Sequence, residues 1–316
     1  MNFGFSAPSR GPLATPDALA TLAQRGEALG YGIISVSDHI VMPRRIDSIY
    51  PYNESGRYTG GSEALELLTA ITYLAAVTSK IRLLTSVMVV PHRSPVLTAK
   101  ILSTIDVLSK GRLTVGCGAG WLREEFNALN VPPFEHRGSI TNEYIQAFKS
   151  LWCDEAPTFQ GRYCNFSDIY FEPKPVQKPH PPIWIGGESP AALRRVARFG
   201  DALYPIGSNP TYPVTTPEQM KESLRAISQY ATEAGRDPME IDLAYNVNWN
   251  NDTDAIILSN GTRRSFTGTP SQIAEDIHTF ETLGVRHLVL SFQQPNIDAT
   301  LGAMERFALN IIPLTH

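Results

Sequence analysis

The chain has 316 residues, of which 42% are hydrophobic, and a formal net charge of −4. This length predicts one large α/β domain or two smaller ones with a substantial core. Acidic and basic residues are interspersed, so no basic cluster indicates nucleic acid or an anionic membrane as a partner. No apolar run approaches the roughly 18 residues of a membrane-spanning helix, and the amino terminus predicts a strand rather than a signal peptide. Three scattered cysteines disfavour a disulfide framework or a zinc site, and we expect a cytoplasmic protein without a metal.

Strand and helix signals alternate along almost the whole chain. Predicted strands fall at 2–6, 32–37, 82–90, 112–117, 182–185, 202–205, 240–247 and 286–291. Predicted helices follow Thr15 and Pro190 and also cover 63–78, 95–109, 138–152, 217–234, 270–283 and 297–310. This alternation predicts an α/β fold, a (β/α)8 TIM barrel formed by residues 1–316 as a single domain.

Two features of the connections refine this prediction. A doubly wound open sheet is the competing fold, but no glycine-rich phosphate turn follows the first strand. Three connections are longer than usual, at approximately 40–62, 153–181 and 248–269, and segments of this length are commonly lids or binding loops. We expect the segment 153–181 to carry an extra strand.

Chemically active residues gather at the ends of predicted strands, where barrel active sites form. Asp38-His39 ends the second strand, and histidine is the side chain best suited to proton transfer near neutral pH. Adjacent residues on a strand point to opposite faces, so Asp38 and His39 need not touch. A histidine that only packs at a strand end is an equally good interpretation of this pattern.

Two further strands offer room for a ligand. Ser86-Val87 lies in the third strand, where the small Ser86 would let a planar molecule approach, although an ordinary buried strand also explains the pattern. The stretch 116–120 reads Gly-Cys-Gly-Ala-Gly, and a glycine such as Gly118 lets backbone approach a ligand without a Cβ atom. Its spacing does not match a dinucleotide fingerprint.

The neighbouring residues allow less specific predictions. Arg93 could pair with an anion, and Trp121 could stack on a ring or plug the barrel mouth. Glu124-Glu125 is expected to lie on a solvated helix face, two turns into a helix. Cys117 is expected to be a core residue, because no basic neighbour lowers its pKa.

The strongest local signal is the run Gly186-Gly187-Glu188-Ser189 followed by Pro190. Two glycines leave a strand, Ser189 caps a helix and the proline fits its first turn. Free N–H groups and the dipole at such a helix start favour a phosphate, although Glu188 opposes one unless its side chain points away. Serine-nucleophile and zinc-hydrolase motifs are not found, which disfavours acyl transfer and metal-dependent hydrolysis.

Taken together, these segments resemble the bacterial-luciferase-like superfamily, in particular its branch of oxidoreductases that depend on coenzyme F-420, a deazaflavin. The resemblance covers nearly the whole chain. It is carried by 11–16, 36–39, 90–100, 106–113, 120–126, 171–184 and 186–187.

The resemblance implies a luciferase-like barrel that binds a flavin or deazaflavin at its mouth. His39 would be catalytic, near the reactive ring, where it stabilises charge during hydride transfer. A cis peptide bond at Ser86-Val87 would lie behind the central ring, and the cofactor phosphate would lie at the helix start. The implied cofactor-binding residues are Asp38, Ser86, Val87, Gly118, Gly186, Gly187, Glu188 and Ser189.

The identity of the cofactor decides the reaction. Ser37-Asp38-His39 resembles the deazaflavin members, which implies hydride transfer to or from a small organic substrate with coenzyme F-420. Oxygen-using members more often have Glu-His-His there, and a monooxygenase using FMN and a separate reductase is the alternative. A third possibility is a flavin-binding barrel without turnover.

Differences from the family pattern and the long connections allow expectations about the substrate. The sugar-phosphate dehydrogenases of the F-420 branch have a glutamate where this chain has Trp121, so a sugar phosphate is not expected as substrate. The segments 40–62 and 248–269 are expected to select the substrate. We also expect a homodimer.

Overall fold

Eight parallel strand positions close into a barrel in the computed structural model, which describes residues 1–258 and 261–315. The strands are β1 (Asn2–Ser6), β2 (Ile33–Val36), β3 (Arg82–Thr85), β4 (Met88–Val89), β5 (Leu113–Gly118), β6 (Phe159–Gln160), β7 (Asn165–Phe166), β8 (Ile183–Gly186), β9 (Ala202–Tyr204), β10 (Asp242–Val247) and β11 (Val285–Leu290). β3 and β4 share one position, since both pair with β5, and β11 pairs with β1 to close the ring. The predicted α/β barrel is confirmed.

Helices connect the strands and cover the outside of the barrel. They are α1 (Pro16–Ala28), α2 (Leu67–Val77), α3 (Pro95–Leu108), α4 (Arg123–Leu129), α5 (Arg137–Cys153), α6 (Pro190–Phe199), α7 (Pro217–Glu233), α8 (Pro270–Thr282) and α9 (Ile297–Asn310). Short 3₁₀ turns cover Val90–His92, Phe134–His136, Pro238–Glu240 and Ile312–Thr315. Four helices start with a proline after a capping Ser or Thr, whose side chain accepts an N–H of the first turn. These caps are Thr15, Ser189, Thr216 and Thr269.

The apolar core has two parts. The larger part fills the layer between the strands and the helices. The smaller part fills the inside of the barrel with side chains that include Leu84, Trp184, Tyr204 and Val289. Because these side chains plug the barrel, a ligand has access only above them, and the site is confined to the mouth at the carboxyl ends of the strands.

The long connections differ in their structure. The segment 153–181 contains the antiparallel hairpin β6–β7, so the expected extra strand is confirmed as two short ones. The segments 40–62 and 248–258 are largely irregular, and of the predicted connection 248–269, Ser259 and Asn260 lie outside the described residues. Within the described residues, no helix combines the length and the apolarity needed to cross a bilayer.

Candidate active site

His39 follows β2 at the carboxyl end of the barrel, and its side chain is only 9% exposed. Its ring lies 5.9 Å from the ring of Tyr58 and 6.2 Å from that of Trp121, measured between centroids. Its Nδ1 lies 2.7 Å from Oε2 of Glu125. No hydrogen bond joins Nε2 to a described residue. Glu125 therefore anchors Nδ1 of the imidazole, and Nε2 remains available at the mouth.

Glu125, in the first turn of α4, is completely buried. Its Oε1 accepts the N–H of Ile40 at 2.7 Å and that of Val41 at 3.2 Å. Burial raises the pKa of Glu125, but the hydrogen bond and charge of His39 and the N–H of Ile40 outweigh it and lower the pKa below its usual value. The ionised carboxylate can only accept, so Nδ1 of His39 carries the hydrogen that bonds it.

The prediction that Glu124-Glu125 forms a solvated face was wrong for Glu125, and the pair lies in the first turn of α4 rather than the third. The reason is that the segment 40–48 folds against α4. Glu124 accepts the N–H groups of Asp47 and Ser48 at 2.7 and 2.9 Å and the Ser48 hydroxyl at 2.6 Å. The two glutamates therefore fix the start of the long 40–62 segment in place above the barrel.

Asp38 turns away from His39, as the alternation of strand side chains predicts. Arg93 Nη1 and Nη2 donate to the two Asp38 carboxylate oxygens at 2.8 Å each, and the Val89 N–H donates at 2.8 Å. Arg93 also donates to Glu66 at 2.7 Å. The anion that Arg93 binds thus belongs to the protein, and the Asp38 carboxylate is fully engaged in holding the strand end.

His92 is a second buried histidine, and it lies near Glu125. Its ring packs edge-on against Phe126 with centroids 4.7 Å apart, and its Nδ1 lies 3.9 Å from Glu125 Oε1. Burial lowers the pKa of His92 to about 4, so the ring is neutral at pH 7. Glu125 is therefore free to stabilise a charge on His39 alone.

The predicted cis peptide bond at Ser86-Val87 is confirmed. Ser86 Oγ lies 3.0 Å from the hydroxyl of Tyr204 inside the barrel. A Cβ at Gly118 would lie 2.6 Å from a Val87 methyl carbon, and one at Gly186 would lie 2.9 Å from the other. These two glycines make room for Val87. For Gly118 the sequence predicts another role, a close approach of backbone to a ligand.

The α6 helix start has the geometry that the sequence predicts. Gly187 has a φ of +102°, and the Ser189 side chain accepts the N–H of Ala192 at 3.3 Å. Glu188 points away, toward the loop after β9, where Oε1 accepts the N–H groups of Ile206 at 2.6 Å and Gly207 at 3.1 Å. The carboxyl group of Glu188 therefore does not oppose the binding of an anion at this helix start.

An aromatic wall formed by Tyr50, Tyr58 and Trp121 stands beside His39. The ring of Tyr50 lies 5.0 Å from that of Trp121 and 5.4 Å from that of Tyr58, between centroids. Arg10, in the loop after β1, donates to the Tyr58 hydroxyl and lies 3.5 Å from Ser37 Oγ. Trp121 therefore packs on the rings of Tyr50, Tyr58 and His39.

Most of the predicted site residues lie at one end of the barrel. His39, Ser86, Val87 and the glycines at 118 and 186–187 lie at the carboxyl ends of their strands. Glu125 and Arg10 were missed as site residues. A carboxylate buried in the first turn of a short helix carries no local signal, because the segment that covers it lies more than 70 residues earlier in the chain.

Comparisons with known proteins agree with this geometry. The family model described as luciferase-like monooxygenase matches residues 1–252. An uncharacterized protein of Mycobacterium tuberculosis (strain H37Rv) is 30% identical over 270 residues, which are 83% of this chain and 89% of that protein.

A further relative and a solved structure of similar fold differ in the cofactor that their names give. The FMNH2-dependent dimethylsulfone monooxygenase of Pseudomonas putida is 36% identical over 158 residues, or 48% of this chain and 43% of that protein, so the match spans less than half of its length. An F420-dependent secondary alcohol dehydrogenase, solved in complex with an F420-acetone adduct, has a similar fold. Its TM-score is 0.77 at 18% identity, with 100% of this chain and 99% of that one covered.

The matched segment 1–252 contains the His39–Glu125 pair, the Ser86-Val87 position and the α6 helix start. The chain therefore belongs to the luciferase-like monooxygenase family, as its motifs predicted.

Proposed function

We propose that the protein is an oxidoreductase that uses coenzyme F-420 at the barrel mouth for hydride transfer to or from a small organic substrate. The observation that carries this proposal is the buried His39–Glu125 pair, with a 2.7 Å contact at Nδ1 and an Nε2 that no described residue hydrogen-bonds. A carboxylate that orients a histidine is a recurrent arrangement for proton transfer.

The residues at the mouth fit a phosphate-bearing cofactor. The first N–H groups of α6 have no partner within the helix, and its dipole favours an anion there. Gly186 and Gly187 carry no side chain that would cover this helix start, and Glu188 turns its charge elsewhere. The Ser189 hydroxyl accepts from Ala192 and keeps its own hydrogen for a further acceptor.

The cofactor, when bound, would supply a ring that carries two electrons as hydride. The chain supplies control of the accompanying proton at Nε2 of His39. The neutral ring accepts a proton there from a substrate hydroxyl, and the protonated ring donates one to a substrate oxygen. Glu125 stabilises the protonated ring through its negative charge and keeps its plane fixed.

The alternative is a monooxygenase that uses FMN reduced by a separate reductase. The 36% identity to an FMNH2-dependent enzyme favours it, although that match covers less than half of either protein. The preference for the deazaflavin rests on Ser37-Asp38-His39, since the oxygen-using members more often carry Glu-His-His.

Separate titrations with coenzyme F-420 and FMN, followed by fluorescence quenching, test the proposal. We expect coenzyme F-420 to bind about tenfold more tightly or better. Tighter binding of FMN would favour the monooxygenase, and no binding of either would refute the proposal. Binding without turnover by any donor or acceptor would indicate a barrel that only carries its cofactor.

A pair of variants at Gly187 tests the phosphate position. Gly187→Asp adds a negative charge at the α6 helix start and should weaken cofactor binding by more than about tenfold. Gly187→Ala is the matched control, because it carries the same cost of a side chain at φ +102° without the charge. Equal affinities of the two folded variants would contradict the assignment.

A further inference from the structure

Arg10 is a half-buried cation without a carboxylate partner among the described residues. Its neighbours are neutral: it donates to the hydroxyl of Tyr58 and lies 3.5 Å from that of Ser37. Its Nε is buried and has no hydrogen-bond partner among the described residues. Charges that are withdrawn from water are normally paired, and this half-buried guanidinium has no ionic partner among the described residues.

The other arginine of this region shows the contrast. Arg93 lies against two carboxylates, Asp38 at 2.8 Å and Glu66 at 2.7 Å, and is neutralised by them. The carboxylate of Glu125 is used by His39 and by backbone N–H groups. Arg10 is therefore a cation on the His39 side of the mouth, and no carboxylate of the described residues compensates its charge.

Aromatic rings lie between Arg10 and His39. The guanidinium carbon of Arg10 lies 5.8 Å from the centre of the Tyr58 ring, which lies 5.9 Å from the His39 ring. Trp121 packs on Tyr58 with ring centroids 5.6 Å apart. One aromatic ring therefore lies between the cation and the proposed proton-transfer group, and a second ring packs on the first.

We propose that the substrate of this site is a planar organic monocarboxylate. Its carboxylate pairs with Arg10, and its flat unsaturated body lies along Tyr58 and Trp121, which places the reacting carbon beside His39. A guanidinium matches a carboxylate in a bidentate geometry, and a single arginine compensates one negative charge rather than the two of a phosphate. Aromatic rings favour flat partners through stacked or edge-on contacts.

The proposal rests on the proposed function for the reaction, but the binding step can be measured without any cofactor. Benzoate serves as the probe, and benzamide serves as a neutral molecule of the same shape. Cyclohexanecarboxylate has the charge without the flat ring. Calorimetric titration of the wild-type protein should give affinities that fall at least about fivefold from benzoate to each of the other two.

The variant Arg10→Gln should weaken benzoate binding by at least about tenfold and leave benzamide binding unchanged. Arg225→Gln is the control, since Arg225 is an exposed arginine of the outer helix α7, and it should bind benzoate as the wild type does. Circular dichroism establishes that the variants are folded. If Arg10→Gln does not fold, the comparison of the three ligands on the wild-type protein still decides the question.

Three results would overturn the proposal. The first is equal binding of benzoate and benzamide, or no binding of benzoate, by the wild-type protein. The second is unchanged benzoate affinity in folded Arg10→Gln. The third is loss of FMN or coenzyme F-420 binding in Arg10→Gln with benzoate binding retained, which would assign Arg10 to the cofactor. Failure of the proposed function is a separate result, in which neither cofactor binds whatever the behaviour of benzoate.

Discussion

The variant Glu125→Gln changes one buried group while keeping its shape. The wild-type carboxylate accepts from His39 at 2.7 Å and from the N–H groups of Ile40 and Val41. A glutamine keeps one oxygen for the two backbone donors but turns an NH2 group toward His39 Nδ1. Two donors cannot face each other, so the hydrogen of the neutral imidazole should move from Nδ1 to Nε2.

The expected effect on turnover follows from the lost charge. A hydrogen bond to a charged partner contributes about 1.5–3 kcal/mol, and complete burial removes the screening that weakens exposed pairs. A loss of about 2 kcal/mol in the transition state lowers turnover about 30-fold. The free energy of unfolding should fall by less than about 1.5 kcal/mol, whereas Glu125→Ala, which orphans all three donors, should cost about 3 kcal/mol or more.

Nitrogen-15 NMR of the labelled histidine side chains measures the tautomer directly and needs no substrate. We expect His39 to be protonated at Nδ1 in the wild type and at Nε2 in Glu125→Gln at neutral pH. Glu124→Gln is the matched control, because Glu124 also accepts loop N–H groups but makes no contact with His39. The reasoning is refuted if the wild-type ring is already protonated at Nε2, or if both variants give the wild-type spectrum.

Three further predictions concern proton transfer and charge pairing. His39→Ala should lower turnover about 100-fold or more while cofactor affinity, measured by fluorescence titration, changes much less; loss of affinity alone would make His39 a positioning residue. Arg93→Met should lower the free energy of unfolding by about 3–5 kcal/mol in urea, because it leaves the buried Asp38 without its cation, and a change below about 1 kcal/mol would contradict this. Burial raises the pKa of Glu27, but hydrogen bonds from residues 79–81 outweigh it and lower the pKa from 4.5 to about 2. Since the folded-state pKa is depressed, the stabilisation is present at neutral pH and is lost as pH falls below 4.5 through that value. Glu27→Gln should therefore cost about 1 kcal/mol at pH 7 and almost nothing near pH 2, and a cost independent of pH would argue against it.

Local patterns in the sequence predicted the barrel and the position of its mouth. The α9 helix covers the predicted 297–310, because its apolar spacing and its Asn296 cap both act over a few residues. The third strand was predicted as 82–90 without a break, whereas β3 ends at Thr85 and β4 begins at Met88. Its interruption at Ser86-Val87 followed from the family resemblance and not from periodicity, which continues through it.

Pairings between distant residues were not predictable in this way. The family resemblance implies that Asp38 binds the cofactor, and the sequence does not predict the contact of its carboxylate with Arg93, 55 residues further along the chain. Glu125 was placed in solvent, yet it binds His39 at a separation of 86 residues. In both cases the local sequence shows a charged residue but does not show what covers it, because the covering element depends on the closure of the barrel.

The Glu125 carboxylate links two features of the site that are separate in sequence. It fixes the ring of His39, and it accepts the N–H groups of Ile40 and Val41, where the 40–62 segment begins. Three donors stabilise its charge, which explains how a fully buried glutamate keeps a pKa below its usual value. Any change that detaches the start of this segment leaves fewer donors on the carboxylate and disturbs the orientation of His39 at the same time. The segment that carries Tyr50 and Tyr58 to the mouth is thus held by the same group that orients the ring of the proposed catalytic histidine.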